Sequence, residues 1–142
     1  MRHETPSPTA TEAARWLGAA DLRPTRQRLA LAGLLIGGGN RHLTAEALHE
    51  EAREAGAGVS LATVYNALRA FTEAGLLREV HLEAGRVYYD TRLDDHPHFY
   101  HEADGRIEDA PQGSVSIASL PEPPEGCEIA SVDVVVRLRR KS

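Results

Sequence analysis

The fold of this chain is decided by residues 58–77, which read GVSLATVYNALRAFTEAGLL. Ser60 is placed to cap a helix, because its hydroxyl can accept hydrogen bonds from the amides of the first helical turn. Gly75 is placed to end that helix, because the residue after a helix often takes a left-handed conformation that glycine adopts at little cost. The apolar residues between them fall on one helical stripe and are Leu61, Val64, Leu68 and Phe71. The stretch therefore predicts an amphipathic helix between Ser60 and Gly75.

The opposite face of this helix has the composition of a DNA-reading surface. It is small, able to hydrogen-bond and singly positive, and it consists of Ala62, Thr63, Asn66 and Arg69, with Tyr65 on the flank. Such a face suits insertion into a DNA major groove. An ordinary amphipathic surface helix has the same apolar stripe, so the flanking sequence has to decide between the two interpretations.

The flanks predict shorter helices before this stretch and a β-hairpin after it. The helices are expected over residues 9–20, from a cap at Thr25 to the run Gly37, Gly38 and Gly39, and from a cap at Thr44 to about Gly56. In the second of these, Leu29, Ala32 and Ile36 are expected on one stripe, which Leu31, Leu34 and Leu35 widen. The hairpin is expected from the extended runs 76–82 and 86–89, with Gly85 in the turn. Helices followed by a hairpin form the winged helix-turn-helix pattern, which favours DNA binding.

The character of the sequence changes after residue 90. A polar hinge is expected at residues 91–95, and strands are expected at Phe99–Glu102, Arg106–Asp109 and Ile129–Leu138. The last strand is almost entirely apolar, and so short a segment cannot bury it alone. We therefore expect a second copy to complete the sheet, which makes the chain a homodimer.

These patterns predict an α+β chain, in which an N-terminal winged helix-turn-helix domain precedes a small α/β dimerisation domain. The expected bounds are a flexible N-terminus at 1–8, the DNA-binding domain at 9–90, the hinge at 91–95 and the dimerisation and sensing domain at 96–142.

Composition narrows the class of protein. The chain has 142 residues, of which 42% are apolar, and a formal net charge of −5. This negative net charge does not favour binding to nucleic acid. Arg23, Arg26 and Arg28 nevertheless form a local basic patch that can contact phosphates. No membrane span and no signal peptide are evident, so a cytoplasmic protein without a membrane partner is expected. The sequence shows no glycine-rich phosphate loop and no activated nucleophile, so we expect no enzyme.

His96-Pro97-His98, at the start of the second segment, is a candidate ligand site. Two residues apart on a strand, both imidazoles point the same way and can converge on one centre. Asp90, Asp109 and His42 can be brought close to them. Imidazole and carboxylate together favour Fe(II), Mn(II) or Zn(II), and two axial histidines can equally hold haem iron. Surface histidines that bind nothing would give the same pattern.

The single cysteine, Cys127, excludes an intramolecular disulfide and a CxxC structural zinc site.

At this point the residues resemble a known family, the ferric uptake regulators. The matching segments are 23–28 (RPTRQR), 42–46 (HLTAE), 61–65 (LATVY), 74–77 (AGLL) and 96–98 (HPH). Within the family, the chain is most similar to the iron response regulator branch, whose members respond to haem. The segments that carry this finer likeness are 59–66, 71–80 and 132–141.

The resemblance implies a dimeric transcriptional regulator of iron and haem genes, a repressor or an activator, that responds to a metal ion or to haem. Its partner would be double-stranded DNA with an AT-rich pseudo-palindrome. Tyr65 matches the family's base-contacting tyrosine and Arg23 its minor-groove residue, while Asn66 replaces a common arginine. The full set of expected DNA contacts is Arg23, Arg26, Ser60, Ala62, Thr63, Tyr65, Asn66 and Arg69.

The resemblance also implies an interdomain regulatory metal site formed by His42, Asp90, His96, His98 and Asp109. The Cys-Pro haem motif of some iron response regulators is missing, so haem would be bound by His96 and His98, with a haem-delivering protein as a further partner. The two aspartates are similar to those of the peroxide-sensing branch. A peroxide- or manganese-sensing repressor is therefore an alternative, as is a metal-dependent dimeric adaptor that does not bind DNA.

Overall fold

The structure of the protein is a computed structural model, which describes residues 8–37, 41–83, 86–94 and 96–142. The predicted flexible segment up to residue 7, the helix-ending Gly38 and Gly39, the turn residue Gly85 and the hinge residue Asp95 lie outside the described residues. By contacts between Cα atoms, the chain divides into two compact units, unit 1 (residues 1–93) and unit 2 (residues 94–142).

In the described residues of unit 1, four helices are followed by the predicted hairpin, and a short strand that the sequence did not predict lies between the second and third helices. The helices are α1 (Pro8–Ala19), α2 (Arg26–Gly37), α3 (Ala45–Glu54) and α4 (Leu61–Glu73). The strands are β1 (His42–Leu43), β2 (Arg78–Glu83) and β3 (Arg86–Asp90). Among the described residues, no helix has the length and apolarity needed to cross a membrane.

The helix starts follow from the capping residues that the sequence predicts. The hydroxyl of Thr25 accepts a hydrogen bond from the amide of Arg28 at 3.2 Å. Thr44 and Ser60 do the same for α3 and α4, with donors three residues further along. These bonds satisfy amides of the first turn that have no partner within the helix. Gly75 follows α4 with φ of 81°, which confirms its predicted role at the helix end.

The core of unit 1 lies between α4 and the three other helices. The residues of α4 that are buried there are Val64, Ala67, Leu68 and Phe71. Trp16 of α1 packs edge-on against Phe71, with ring centroids 5.2 Å apart. The predicted stripe of α4 is thus confirmed, except that Leu61 is only half-buried.

The stripe predicted for α2 is confirmed at Ala32 but only in part at its two ends, Leu29 and Ile36. Leu31, Ala32 and Leu35 are buried, whereas Leu29 and Ile36 are only half-buried. The reason is that α2 contacts α1, α3 and α4, so its apolar residues spread around the helix instead of following one line.

The three strands of unit 1 form an antiparallel sheet in the order β1-β3-β2. The hairpin of β2 and β3 is the wing, and the short β1 pairs with the other edge of β3. In that pairing His42 lies opposite Asp90 and Leu43 lies opposite Tyr89. The register therefore brings two predicted metal ligands together within unit 1.

Unit 2 contains a second three-stranded sheet, built from β4 (His98–His101), β5 (Ile107–Asp109) and β6 (Val135–Leu138) in the order β5-β4-β6. β5 is antiparallel to β4, whereas β6 is parallel to it. The prediction of a strand over Ile129–Leu138 was too long. Because β4 has only four residues and its first amide, that of His98, already bonds to the carbonyl of Val134, residues 129–133 find no neighbouring strand along β4.

Candidate nucleic-acid interface and metal ligands

The predicted reading face of α4 is open to solvent. Ala62, Asn66 and Arg69 are exposed, and the side chain of Tyr65 is 42% exposed although it is aromatic. An exposed aromatic ring beside polar side chains is suited to contact with base edges and thymine methyl groups.

Ser60 and Thr63, both predicted to contact DNA, also hold the start of α4. The hydroxyl of Ser60 donates to the hydroxyl of Thr63 at 2.9 Å and accepts from the amide of Thr63 at 3.1 Å. The two side chains therefore set the orientation of the helix N-terminus, in addition to lying on its outer side.

A basic groove adjoins this face. It has a volume of about 340 Å³ and is lined by Arg23, Thr25, Gln27, Arg28, Thr63, Asn66 and Ala67. Within it, Nη1 of Arg28 donates to the carbonyl oxygen of Arg23 at 3.2 Å. Arg28 belongs to the basic patch of the sequence but not to the predicted contacts, and its place in the groove adds it to them. Arg26 lines a different pocket, with Gly58 and Val59.

Glu46, near the start of α3, contacts the reading face directly. The hydroxyl of Tyr65 donates a hydrogen bond to Oε1 of Glu46. This bond lowers the pKa of Glu46, and Arg86 of the wing lowers it further. The same bond raises the pKa of the Tyr65 hydroxyl. Glu46 lies in the motif 42–46 but is not among the DNA contacts expected from the sequence.

In unit 1, the structure brings together two of the five predicted metal ligands. Nε2 of His42 lies 3.1 Å from Oδ2 of Asp90, and the side chain of Asp90 is fully buried. The other carboxylate oxygen, Oδ1, accepts from the amide of Arg92 at 2.9 Å. The pairing of β1 with β3 thus holds a carboxylate and an imidazole in a fixed arrangement.

Two hydrogen bonds between residues 41 and 91, one of them to a side-chain hydroxyl, fix the strand that carries His42. The amide of Arg41 donates to the hydroxyl of Thr91 at 2.9 Å, and the amide of Thr91 donates to the carbonyl oxygen of Arg41 at 3.1 Å. Residues 41 and 91 flank the His42–Asp90 pair, so these bonds extend the β1–β3 register on one side of it.

In unit 2, the structure brings together the other three predicted ligands. Nε2 of His96 lies 3.0 Å from Oδ1 of Asp109, and Nε2 of His98 lies 3.8 Å from the same oxygen. The imidazole rings are packed together, with centroids 4.4 Å apart, and their side chains are at most 1% exposed. His98 and Asp109 face each other in the β4–β5 register.

His96 reaches this cluster in a way that the sequence did not predict. We expected both histidines on one strand, but β4 begins at His98 and His96 precedes it. Nδ1 of His96 lies 2.5 Å from the carbonyl oxygen of Asp94. Because a carbonyl oxygen only accepts, Nδ1 carries a proton, and Nε2 is the nitrogen directed at Asp109.

The residues of each unit fit a divalent cation. For metal–ligand bonds of about 2.1 Å, neighbouring ligand atoms in a tetrahedron or octahedron are about 3 to 3.5 Å apart. The measured separations of 3.0 and 3.1 Å lie in that range. The 3.8 Å separation of His98 from Asp109 is slightly larger.

An open apolar pocket lies beside His96 in unit 2 and has a volume of about 450 Å³. Besides His96, its lining is mainly apolar and includes Pro97, Val115, Ile117, Leu120, Ile129, Val132 and Val134. Four of these side chains, Val115, Ile117, Leu120 and Ile129, are between 38% and 50% exposed. Apolar surface of this kind marks a ligand or protein interface.

A family model and individual relatives of known name point to the same family. The model of the ferric uptake regulator family matches residues 19–136. The ferric uptake regulation protein of Legionella pneumophila is 33% identical over 99 residues, which are 69% of this chain and 73% of that protein. The zinc uptake regulation protein of Mycobacterium tuberculosis is 35% identical over 80 residues, 56% of this chain and 60% of that protein.

Among solved structures, the ferric uptake regulator of Pseudomonas aeruginosa with manganese is similar to the chain with a TM-score of 0.68 and 24% identity. The match covers 92% of this chain and 98% of that chain, and it confirms the predicted fold. The family model matches residues of both units, and the Legionella pneumophila relative aligns with more than two thirds of this chain. The chain therefore belongs to the ferric uptake regulator family of transcriptional regulators.

Proposed function

We propose that this protein is a dimeric repressor of iron and haem genes that binds an AT-rich, pseudo-palindromic DNA duplex when a divalent metal ion is bound. The observation that carries the proposal is the burial of the ligand sets. Asp90, His96 and His98 are among the least exposed side chains of the chain. Buried titratable groups are costly unless they are paired or bind a metal.

The proposal assigns one ion to all five predicted ligands. Unit 1 supplies two of them, His42 and Asp90, and unit 2 supplies three, His96, His98 and Asp109. Two protein ligands are fewer than a stable divalent site needs, and three leave an open position. The five residues are kept as one ligand set because that is the set that the family resemblance implies.

The ligand atoms limit which ion is bound. Imidazole nitrogens and carboxylate oxygens suit Fe(II), Mn(II) and Zn(II), whereas Cu(I) and iron–sulfur clusters prefer sulfur. When bound, the ion supplies a fixed positive centre. The chain's own residues supply the orientation: the carbonyl of Asp94 directs His96, and the amide of Arg92 directs Asp90.

DNA binding is assigned to the exposed face of α4 and the adjoining groove. Arg23 and Arg28 place positive charge next to Asn66, so phosphates and base edges can be contacted together. The proposed contacts are those expected from the sequence, with Arg28 added from its place in the groove: Arg23, Arg26, Arg28, Ser60, Ala62, Thr63, Tyr65, Asn66 and Arg69.

The test is a DNA-binding titration with and without each metal. We expect Fe(II), Mn(II) or Zn(II) to tighten binding to an AT-rich pseudo-palindrome, and His98→Ala to abolish the metal effect. His101→Ala is the matched control, because His101 lies on the same strand but pairs with Glu108 at 2.7 Å, away from the ligand triad. A protein that binds metal but no duplex would instead be a metal-dependent dimeric adaptor that does not bind DNA.

A second candidate, haem sensing of the iron response regulator type, is favoured by the apolar pocket beside His96. Haem needs an apolar cavity and an axial ligand, and this pocket offers both in unit 2. His96 and His98 would ligate the iron, and a haem-delivering protein would supply it. The measurement is an absorption titration with haem. Loss of the haem band in His98→Ala and in His96→Ala, but not in His101→Ala, supports this function.

A further inference from the structure

We infer that Glu46 determines part of the DNA sequence preference by holding the hydroxyl proton of Tyr65, so that Tyr65 offers DNA an acceptor oxygen and a ring, not a donor. The inference rests on the proposed function, namely that α4 reads DNA. It assigns a positioning role to a residue of α3, the helix that precedes the reading helix.

The geometry of the pair is set by two capped helices. Glu46 lies in the first turn of α3, two residues after the cap Thr44. Tyr65 lies in the second turn of α4, five residues after the cap Ser60. Both residues are exposed, yet the hydroxyl of Tyr65 is bonded to Oε1 of Glu46. An exposed tyrosine that could turn freely is thus restrained from one side.

The direction of this hydrogen bond is fixed by chemistry. A phenol has one proton, and an ionised carboxylate can only accept. The bond and the nearby Arg86 lower the pKa of Glu46, which keeps its carboxylate ionised. The pKa of the Tyr65 hydroxyl is raised, which keeps its proton in place. At neutral pH, Tyr65 is therefore the donor and Glu46 the acceptor.

The consequence concerns what Tyr65 can still recognise. With its proton committed, the phenolic oxygen retains only lone pairs for DNA. In the major groove, the donors that can meet such an oxygen are the amino groups of adenine and cytosine, and the ring can contact a thymine methyl group. Phosphate oxygens and the O6 and N7 atoms of guanine are acceptors, so Tyr65 cannot bond to them without losing Glu46.

The charge of Glu46 acts in the same direction. A carboxylate next to the reading face repels phosphates, which keeps the Tyr65 side chain from resting on the DNA backbone. Replacement of Glu46 thus has two separable effects. Loss of its negative charge changes the affinity for all sequences. Loss of its acceptor oxygen leaves the Tyr65 hydroxyl free to donate to DNA, which changes the preference at one base pair.

Two substitutions separate these effects. Glu46→Ala removes both the charge and the acceptor, whereas Glu46→Gln removes the charge and keeps an acceptor oxygen for the Tyr65 hydroxyl. Glu50→Ala is the control for charge alone, since Glu50 is an exposed residue of the same helix that pairs with Arg53. The probe is a set of duplexes derived from one bound AT-rich pseudo-palindrome, with each base pair of the half-site changed in turn.

We expect all three variants to bind every duplex more tightly at low salt, with the gain falling as salt rises. Only Glu46→Ala should lose discrimination at one base-pair position, by about two- to tenfold, the range of one hydrogen bond. Glu46→Gln should retain that discrimination. In a Tyr65→Phe background, Glu46→Ala should change the discrimination at no base pair, because the side chain at residue 65 then has no hydroxyl proton to donate.

Three outcomes would overturn the inference. Unchanged discrimination in Glu46→Ala would show that Glu46 does not set the preference of Tyr65. A uniform loss of affinity, together with a lower thermal midpoint, would show a purely structural role. The same loss of discrimination in Glu46→Gln would assign the effect to charge. If the unaltered protein with metal binds no duplex at all, the proposed function fails and the inference fails with it.

Discussion

The guanidinium of Arg41 forms a two-pronged ion pair with the carboxylate of Glu51, with Nη1 3.0 Å from Oε1 and Nη2 2.6 Å from Oε2. Nη1 also donates to the carbonyl oxygen of Leu34 at 2.9 Å. Arg41 directly precedes β1, while Leu34 belongs to α2 and Glu51 to α3. One side chain therefore ties the strand that carries His42 to two helices of the DNA-binding unit.

Arg41→Ala should lower both stability and metal affinity. Hydrogen bonds to charged groups contribute about 1.5–3 kcal/mol when buried. The side chains here are 22% and 35% exposed, so we expect a loss of about 1–2 kcal/mol in urea unfolding. The fluorescence of Trp16, the one tryptophan of the chain, reports unfolding of unit 1. Arg53→Ala is the control, because Arg53 pairs with Glu50 on the same helix in full solvent and should change little. Metal affinity equal to that of the unaltered protein would show that Arg41 does not position His42.

Tyr65→Ala and Arg23→Ala should weaken DNA binding in different ways. Loss of a base contact should reduce specific binding by about 1–3 kcal/mol and leave non-specific binding nearly unchanged. Loss of a phosphate contact should weaken binding to most sequences alike and reduce the salt slope by about one unit. The measurement is fluorescence anisotropy on specific and scrambled duplexes over a salt series. Equal losses on all duplexes for both variants would contradict this division of roles.

Acid should remove the contribution of the Glu46–Tyr65 bond to stability. The pKa of Glu46 lies below its ordinary value of 4.5, first because of the Tyr65 hydroxyl. A carboxylate with a lowered folded-state pKa stabilises the fold above its ordinary pKa and loses that contribution as the pH falls through the lowered value. The difference in urea midpoint between the unaltered protein and Tyr65→Phe should thus be constant near neutral pH and shrink below about pH 4. In a Glu46→Gln background the same difference should not depend on pH, because glutamine does not titrate.

Charged substitutions in the apolar pocket of unit 2 should give monomers. Ile117 and Leu120 are 49% and 50% exposed within one chain, so Ile117→Asp or Leu120→Asp removes no core contact of that chain. We expect a second copy to cover these side chains, so that a buried unpaired carboxylate prevents association. Sedimentation velocity measures this directly, and Ala103→Asp, on an exposed turn of the same unit, is the control. A dimer that persists in both pocket variants would place the interface elsewhere.

Local signals explain what the sequence could predict. The caps Thr25, Thr44 and Ser60 and the left-handed Gly75 act on the backbone within a few residues, so helix starts and the end of α4 were predicted closely. Short motifs also predicted the family. The family match confirms the prediction that the chain is a transcriptional regulator and not an enzyme.

Long-range pairing explains what the sequence could not predict. The length of β6 depends on how many residues of β4 are present to pair with it, which no pattern within residues 129–138 reveals. The bond between Tyr65 and Glu46 joins residues 19 positions apart on two helices, and it required the packing of α3 on α4. His96 was placed on a strand because its spacing from His98 suited one, although a carbonyl contact with Asp94 orients it instead.

The parallel pairing of β6 with β4 also bears on the order in which the protein is made. β2 and β3 adjoin in sequence, whereas β4 and β6 enclose residues 102–134, so closing the second sheet costs more chain entropy and is expected to be slower. During translation, all of unit 1 has been synthesised once residue 93 is added, but β4 acquires its parallel neighbour only when residues 135–138 follow. A nascent chain therefore has the complete sequence of α4 before the sheet that carries His98 and Asp109 can close.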